Sequence, residues 1–414
     1  MKNVVFFSAV LIFLTFWGIS DVWAQSTKFT GYVRNHTGIL LKDDNDYSII
    51  QDTLDLRIEH SRGKVAFMAN PYIHFYHNKE QEIDIRQSYM DILLDSVDIR
   101  IGKQQIVWGK ADGVFITDVI SPKDMGEFLL PDFEEIRLGV QSLKLDYYSG
   151  DTTIEFVWIP VFTPTIMPAV DSIWFVQPDF LITPTYDNSK KDVPSNLKNS
   201  EVFLKLSAIT SMIDFEIMAG ITWDDDPTAH VYKTLDPTTD QLSVLTVTPE
   251  HHLLRLGGGS FSTTIVGAVV RGEAAYFNGK YFRSEDPALI DGVVKKDYVH
   301  FLLGFDYTLW DIKMSLQLIE QQIQDYDEQI INDENENTIT FRMSRDFFRE
   351  TLRLELFSYI DVNNNGSLVR PKISYNLIDG FQILVGFNIF NGEEGVFGQY
   401  DDNDMIYSKV KYSF

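Results

Sequence analysis

Beyond its first residues the chain holds no apolar run long enough for a membrane helix, yet apolar residues return at every second position almost to its end. Leu54, Leu56 and Ile58 interleave with Asp55, Arg57 and Glu59, and Ile83 and Ile85 with Glu82, Asp84 and Arg86. Val97, Ile99 and Ile101 alternate with Asp98, Arg100 and Gly102. Ile339, Phe341 and Met343 alternate with Thr340, Arg342 and Ser344, and Leu352, Leu354 and Leu356 with Arg353 and Glu355. Neighbouring side chains of a strand point to opposite faces, so each set describes a ribbon with one apolar and one polar face. Aromatic residues are abundant, with 30 Phe, 19 Tyr and 7 Trp, while mean hydropathy is only −0.10. A barrel wall reconciles the two, because residues facing lipid and residues facing water average out.

Alternation alone also suits a soluble sandwich; the connections discriminate. Short turns are expected near Ser61–Lys64, Asp95–Val97, Ser149–Asp151, Ser211–Asp214, Phe261–Thr264, Leu309–Asp311, Phe348–Glu350 and Ile378–Gly380. Longer connections fall between them, near 42–46, 77–81, 110–136, 161–200, 223–250, 281–297, 324–337, 361–366 and 391–404. Strict alternation of short and long connections predicts an all-β fold, a transmembrane antiparallel β-barrel with short periplasmic turns and long extracellular loops. Roughly 18 strands (16–18) fit between the breaks, a size that leaves an aqueous channel. The stretch 229–248 is open to two readings, strand extension or separate hairpin.

The opening residues point to export. Lys2 precedes an apolar stretch from Val4 to Ile19, and Val22-Trp23-Ala24 places small residues before a cleavage point, so 1–24 reads as a signal peptide and 25–414 as the barrel. Cysteine is absent, which excludes a disulfide framework and a lipid-anchoring Cys after the leader. The last strand alternates Val410, Tyr412 and Phe414 with Lys409, Lys411 and Ser413. It resembles the carboxyl-terminal strand of Gram-negative outer-membrane proteins, which their barrel-assembly machinery reads through a final aromatic.

The formal net charge is −25, carried by the long connections, so strands and turns are close to neutral. Divalent cations can bridge such an acidic exterior to outer-membrane lipid and anionic lipopolysaccharide, and acidic mouths concentrate cations and repel anions. No basic footprint for nucleic acid is present. On the polar face of the strands stand Arg57, Arg86, Arg100, Arg255, Arg271, Arg342, Arg353 and Arg370, with Asp84, Asp98, Glu273 and Glu355 as counter-charges; these are the candidate pore-lining residues. On a lipid face each cation would cost roughly 2–4 kcal/mol, so this many charges require a wet or mutually paired interior.

The most distinctive segment runs from Ile101-Gly102-Lys103-Gln104 through Trp108-Gly109 to Asp118, Ser121-Pro122-Lys123-Asp124 and Glu134-Glu135-Ile136-Arg137. A strand ends in a Gly-Trp edge and opens into a long loop, 110–136, whose Val114, Phe115, Ile116, Phe128, Leu129 and Leu130 are too apolar to stay in solvent. We expect the loop to fold inward as a constriction, with Asp112, Asp118, Asp124, Glu127, Asp132, Glu134 and Glu135 as its acids. This segment resembles a little-characterised family of Gram-negative outer-membrane porin-like proteins, in which a Gly-x-Gln-x-x-x-Trp-Gly strand precedes an Asp and an Asn/Ser-Pro-x-Asp loop. Gly102, Gln104, Trp108, Gly109, Asp118, Ser121, Pro122 and Asp124 carry the match, with Ser121 where Asn is commoner. Alginate-export and substrate-selective porins are similar in architecture. The resemblance implies passive passage of small hydrophilic solutes across the cell outer membrane, with no cofactor and no catalytic residues.

Weaker signals point elsewhere. Asp361-Val362-Asn363-Asn364-Asn365-Gly366 matches half of a calcium loop, but Lys372 stands where a bidentate Glu is needed, so a hairpin turn is expected. The acidic run at 325–336 reads as a solvated tip. His251, His252 and His300 have no second ligand beside them, so no metal site is expected. Two rival functions remain: an outer-membrane hydrolase, which needs an acid–base constellation for which no local motif exists, and an adhesin or structural barrel acting through acidic loops.

Overall fold

The computed structural model describes residues 26–42, 46–77, 79–176, 180, 182–239 and 241–414; the leader expected at 1–24 lies outside the described residues. The strands are, in chain order, β1 (Ser26–Leu40), β2 (Tyr47–Arg62), β3 (Val65–Tyr76), β4 (Glu82–Leu93), β5 (Val97–Gln104), β6 (Val140–Ser149), β7 (Thr152–Ile159) and β8 (Thr185–Tyr186). There follow β9 (Glu201–Ile209), β10 (Ile213–Trp223), β11 (Thr228–Leu235), β12 (Leu242–Glu250), β13 (Leu253–Ile265), β14 (Ala268–Arg283) and β15 (Val293–Leu309). The chain ends with β16 (Ile312–Ile323), β17 (Asn335–Phe347), β18 (Leu352–Asp361), β19 (Gly366–Ile378), β20 (Phe381–Asn391) and β21 (Met405–Ser413).

All but β8, β11 and β12 form one 18-stranded sheet in which each strand pairs antiparallel with the next. The sheet closes on itself: β1 pairs with β21 from Tyr32↔Ser413 to Leu40↔Met405. Gly31 and Phe414 exchange backbone hydrogen bonds of 3.0 Å in both directions at the seam. Closure leaves no unpaired edge, the condition a β structure must meet in hydrocarbon. The strand alternation resolves into an outward apolar face, where Ile83, Leu204 and Ile217 are 63 %, 51 % and 58 % exposed in the isolated chain. On the inward face Gln51, Thr53, Asp55, Glu273, Gln317 and Glu355 are buried.

The alternation of short and long connections holds around the barrel, with adjustments. Residues 229–248 are neither lumen strand nor coil: β11 and β12 form a separate hairpin, joined by β8 into a three-stranded sheet at the long-loop end. The connection expected at 281–297 shortens to 284–292, because β14 and β15 continue past the wall as strands of 16 and 17 residues. The turn expected at Phe261–Thr264 lies instead at Val266-Gly267, since β13 runs on to Ile265. At the Asp361–Gly366 turn, Asp361 Oδ1 accepts from the amides of Asn363 and Asn364 at 3.1 and 3.2 Å and Asn365 has φ 52°.

Val266 has φ 51° and Gly267 φ 82°, the two-residue geometry that Asn-Gly normally supplies. Val266 is 98 % exposed, so no packing compensates a β-branched residue in the left-handed region. Replacing Val266→Asn should stabilise the barrel by about 1 kcal/mol, read as a higher urea midpoint with unchanged slope; a lower midpoint would mean that Val266 contributes contacts absent here.

Candidate functional site

Between β5 and β6 the chain leaves the wall and crosses the barrel interior. Gly109 and Gly113 take φ 86° and 83°, and at Gly109 a β-carbon would sit 2.6 Å from the Glu273 carboxylate. Away from any ladder, this strap of residues 105–139 must find partners for its own amides and carbonyls. The wall supplies them. Glu273 of β14 accepts from the amides of Lys110 (2.8 Å), Ala111 (3.1 Å) and Thr117 (2.7 Å) and from the Thr117 hydroxyl (2.7 Å). Gln317 of β16 accepts from the Asp112 amide at 2.9 Å and donates to its carbonyl at 2.6 Å. Tyr359 of β18 donates to the Gly113 carbonyl at 2.9 Å.

The later half of the strap is held by cations. Arg370 of β19 donates to the carbonyls of Leu129 and Leu130 at 3.0 and 2.8 Å. Arg34 of β1 meets Glu135 at 2.7 Å, Arg86 donates to the Glu134 carbonyl at 3.2 Å, and Lys409 lies 3.5 Å from Asp132. A four-residue helix, α1 (Phe133–Ile136), carries Glu134 and Glu135. Two apolar clusters weld the strap to the wall: Trp108, Ile116 and Ile120 pack with Phe203, Leu254, Leu256 and Phe277, and Phe128 packs with Trp174, Phe390, Phe397 and Tyr400.

The distinctive motif is the internal scaffold of this strap. Asp118 accepts from the Trp108 amide at 3.2 Å and pairs with Arg137 at 2.7 Å, tying both ends of the segment together. Ser121 accepts from the Ile106 amide at 2.8 Å and donates to the Ile106 carbonyl at 3.0 Å. The Trp108 indole N–H donates to Glu155 of β7 at 2.5 Å.

Of the candidate acids, Asp112 pairs with Arg271 at 2.8 Å, Asp118 is internal to the strap, and Asp124 and Glu127 face a cavity. Asp132 and Glu135 are ion-paired, while the exposed Glu134 contributes its main-chain carbonyl. Among the wall residues, Arg86, Arg271, Glu273 and Arg370 touch the strap. Arg342, Arg353 and Lys372 surround Glu355 at 2.9, 3.2 and 2.8 Å. Arg100 is bidentate on Asp91 at 2.6 and 2.9 Å, Asp84 pairs with Lys103 at 3.1 Å, Asp98 accepts from Tyr148, and Arg57 pairs with Glu59 at 2.7 Å. Arg255 requires a correction. Leu254 and Leu256 on either side of it are buried in the interior cluster, so strand alternation turns Arg255 outward, opposite exposed Ile221. Arg34, Gln317 and Tyr359 were missed. The alternation of Tyr32, Arg34 and His36 with Val33 marks Arg34's face, but nothing in sequence marks a single neutral Gln or Tyr as an anchor.

Two cavities flank the strap. One of about 450 Å³ lies against β1–β4 and β21, lined by Arg34, Tyr72, Arg86, Asp124, Glu127 and Lys409 among others. The other, about 550 Å³, lies against β10 and β13–β15, with Asp118, Lys123, Asp225, Lys280 and His300 in its lining. Both carry charges of both signs. Burial pushes the carboxyls of Asp118, Asp124 and Glu127 above their ordinary range and that of Asp225 well above it. Lys409 draws Asp132 down to about 2. Among the described residues the one set with metal-ligating geometry lies away from the strap, at His230, Glu250 and His252.

Residues 76–414 match the family described as "Protein of unknown function (DUF1302)", and the chain belongs to it. No curated protein matches the sequence. The barrel is similar to that of Pseudomonas aeruginosa OccK8 (OprE), with a TM-score of 0.55 at 10% identity over 94% of this chain and 98% of that one. Acinetobacter baumannii OccAB1 gives 0.55 at 8% identity over 95% and 97%. Pseudomonas aeruginosa OccK2 (OpdF), in complex with glucuronate, gives 0.53 at 10% identity over 94% and 97%. The shared fold is the closed, porin-like barrel.

Glu273 satisfies four strap donors with one carboxylate, and charge-assisted bonds of this kind contribute roughly 1.5–3 kcal/mol each without adding fully. Glu273→Ala should therefore cost about 3 kcal/mol and expose 105–139 to limited proteolysis; a strap as resistant as wild type would show that the apolar clusters alone hold it.

Proposed function

We propose that this DUF1302 barrel is an outer-membrane channel for passive diffusion of small hydrophilic solutes, with the strap at 105–139 setting its bore. The observation that carries the reading is the strap itself, spanning a closed 18-stranded barrel between two polar cavities of about 450 and 550 Å³. An outward apolar face against an inward charged one suits a wall between lipid and water. The cavity volumes fall within the ~300–1,000 Å³ usual for small-molecule sites. Charges of both signs facing each other favour dipolar or hydroxylated solutes over apolar ones, because they replace hydration at several points.

The route to the membrane follows the same reading: export by the leader at 1–24, then insertion by the barrel-assembly machinery through β21 and Phe414. The acidic long connections lie beside lipopolysaccharide. Screening over ~8 Å at ~0.15 M salt makes distal loop charges weak, so ion preference rests on acids within the cavities. Asp124 and Glu127 are the acids with the most direct bearing on it.

Reconstituted in a planar bilayer, the protein should give discrete open steps with a cation-leaning reversal potential under a salt gradient. Asp124→Asn with Glu127→Gln should reduce that preference while leaving the conductance within about twofold; a preference that ignores these changes would remove the strap acids from ion selection. Burial raises both carboxyls, so on acidification they lose their charge before an ordinary carboxyl at ~4 does. Cation preference should accordingly begin to fall at a higher pH in wild type than in the double variant. A folded barrel with no conductance would overturn the channel reading.

A further inference from the structure

The outer hairpin brings together side chains that the strap does not use. His230 on β11 is 4 % exposed, and its Nε2 faces the Nε2 of His252 at 2.9 Å. Glu250, the last residue of β12, offers a carboxylate oxygen, and ligand atoms of all three residues lie within 4.8 Å of one another. His230 Nδ1 lies 3.0 Å from Asp291 Oδ2, in the connection between β14 and β15. The His252 ring stacks on Tyr281 of β14, centroids 3.8 Å apart.

This arrangement fixes tautomers. The carboxylate of Asp291 accepts a hydrogen bond from Nδ1–H of His230, which leaves Nε2 with its lone pair directed at His252. Such a carboxylate–histidine relay orients and strengthens an imidazole as a metal ligand. Two imidazole nitrogens and one carboxylate are a donor set that suits zinc, with water completing a tetrahedron. At nitrogen–zinc distances of ~2.0–2.1 Å the two Nε2 atoms would stand roughly 3.3 Å apart, a few tenths of an ångström wider than now. Glu250 pairs with Lys190 through Oε2 at 3.1 Å, which leaves its second oxygen for a metal.

We propose that His230, His252 and Glu250 bind one divalent zinc-like ion, with Asp291 as the residue that positions His230. The ion would bridge the two arms of the β10–β13 connection and, through Asp291 on His230, link it to the β14–β15 connection. His230 and Glu250 belong to the hairpin, His252 begins the return to the wall at β13, and Asp291 belongs to the β14–β15 connection. Binding would therefore reinforce the tie between hairpin and barrel rim that the Val231 amide already makes to the Asp291 carbonyl at 2.7 Å.

The test uses untagged, refolded full-length protein in detergent, with zinc titrated against a chromophoric chelator and cobalt(II) absorption as a second readout. Wild type should take up one zinc, and bound cobalt should show the intense visible bands of a tetrahedral site. His252→Gln should weaken zinc at least ~10-fold and abolish those bands, and Asp291→Asn should weaken it about 10-fold. Zinc should also slow proteolysis within 228–250 in wild type and not in His252→Gln. Absence of a one-to-one site in wild type, or equal binding by a folded His252→Gln variant, would overturn the proposal and assign zinc to the acidic connections. Should the variants fail to fold, an octahedral cobalt spectrum from wild type would do the same.

Discussion

A backbone amide or carbonyl removed from water must find a partner, and each unpaired one costs several kcal/mol. That constraint orders the remainder of this molecule. It requires the β1–β21 seam, which turns a long sheet into a cylinder without edges. A cylinder of 18 strands is too wide for its wall side chains to fill. Its interior is then open to a segment of chain, provided that segment brings or finds its own partners. The strap finds them on the wall: Glu273, Gln317, Tyr359 and Arg370 do for its backbone what a neighbouring strand does elsewhere.

The interior is consequently neither an open tube nor a soluble-protein core. Apolar clusters fill it where the strap meets β7, β9, β10 and β13–β16, and again where Phe128 meets the connections around Trp174 and Tyr400. Charge pairs occupy what is left. Paired side chains such as Arg34–Glu135 and Arg271–Asp112 fix the strap's position, because a buried charge stripped of its partner is costly. The cavities lie between these fixed points, so their shape follows from anchors in several different strands.

Much of the barrel was legible in the sequence because its rule is local. Residues two apart share a face, and Leu54/Asp55 or Phe341/Arg342 declare that face without reference to any other part of the chain. Arg255 shows where the rule reaches its limit: alternation gives two faces but not which one is inward, and only the packing of Leu254 and Leu256 settles the phase. The strap was visible as a long, apolar-rich connection, whereas its anchors were not, because they lie on distant strands. His230 is a similar case. It stands far in sequence from His252, and only the β11–β12 register, pairing His230 with Thr248, carries it to that end of the hairpin.

The separation between strap and anchors also has a meaning in time. Lys110 waits for Glu273, 163 residues further along, and Gly113 for Tyr359, 246 residues further along. Contacts of such high sequence separation are slow to form, since loop closure must precede any reward. The wall pairs neighbour with neighbour, and Arg34, Arg86 and Glu155 meet the strap from β1, β4 and β7, but Glu273, Gln317, Tyr359 and Arg370 reach it only from the far side of the cylinder. The full set of anchors is therefore a product of the closed barrel rather than of any hairpin within it.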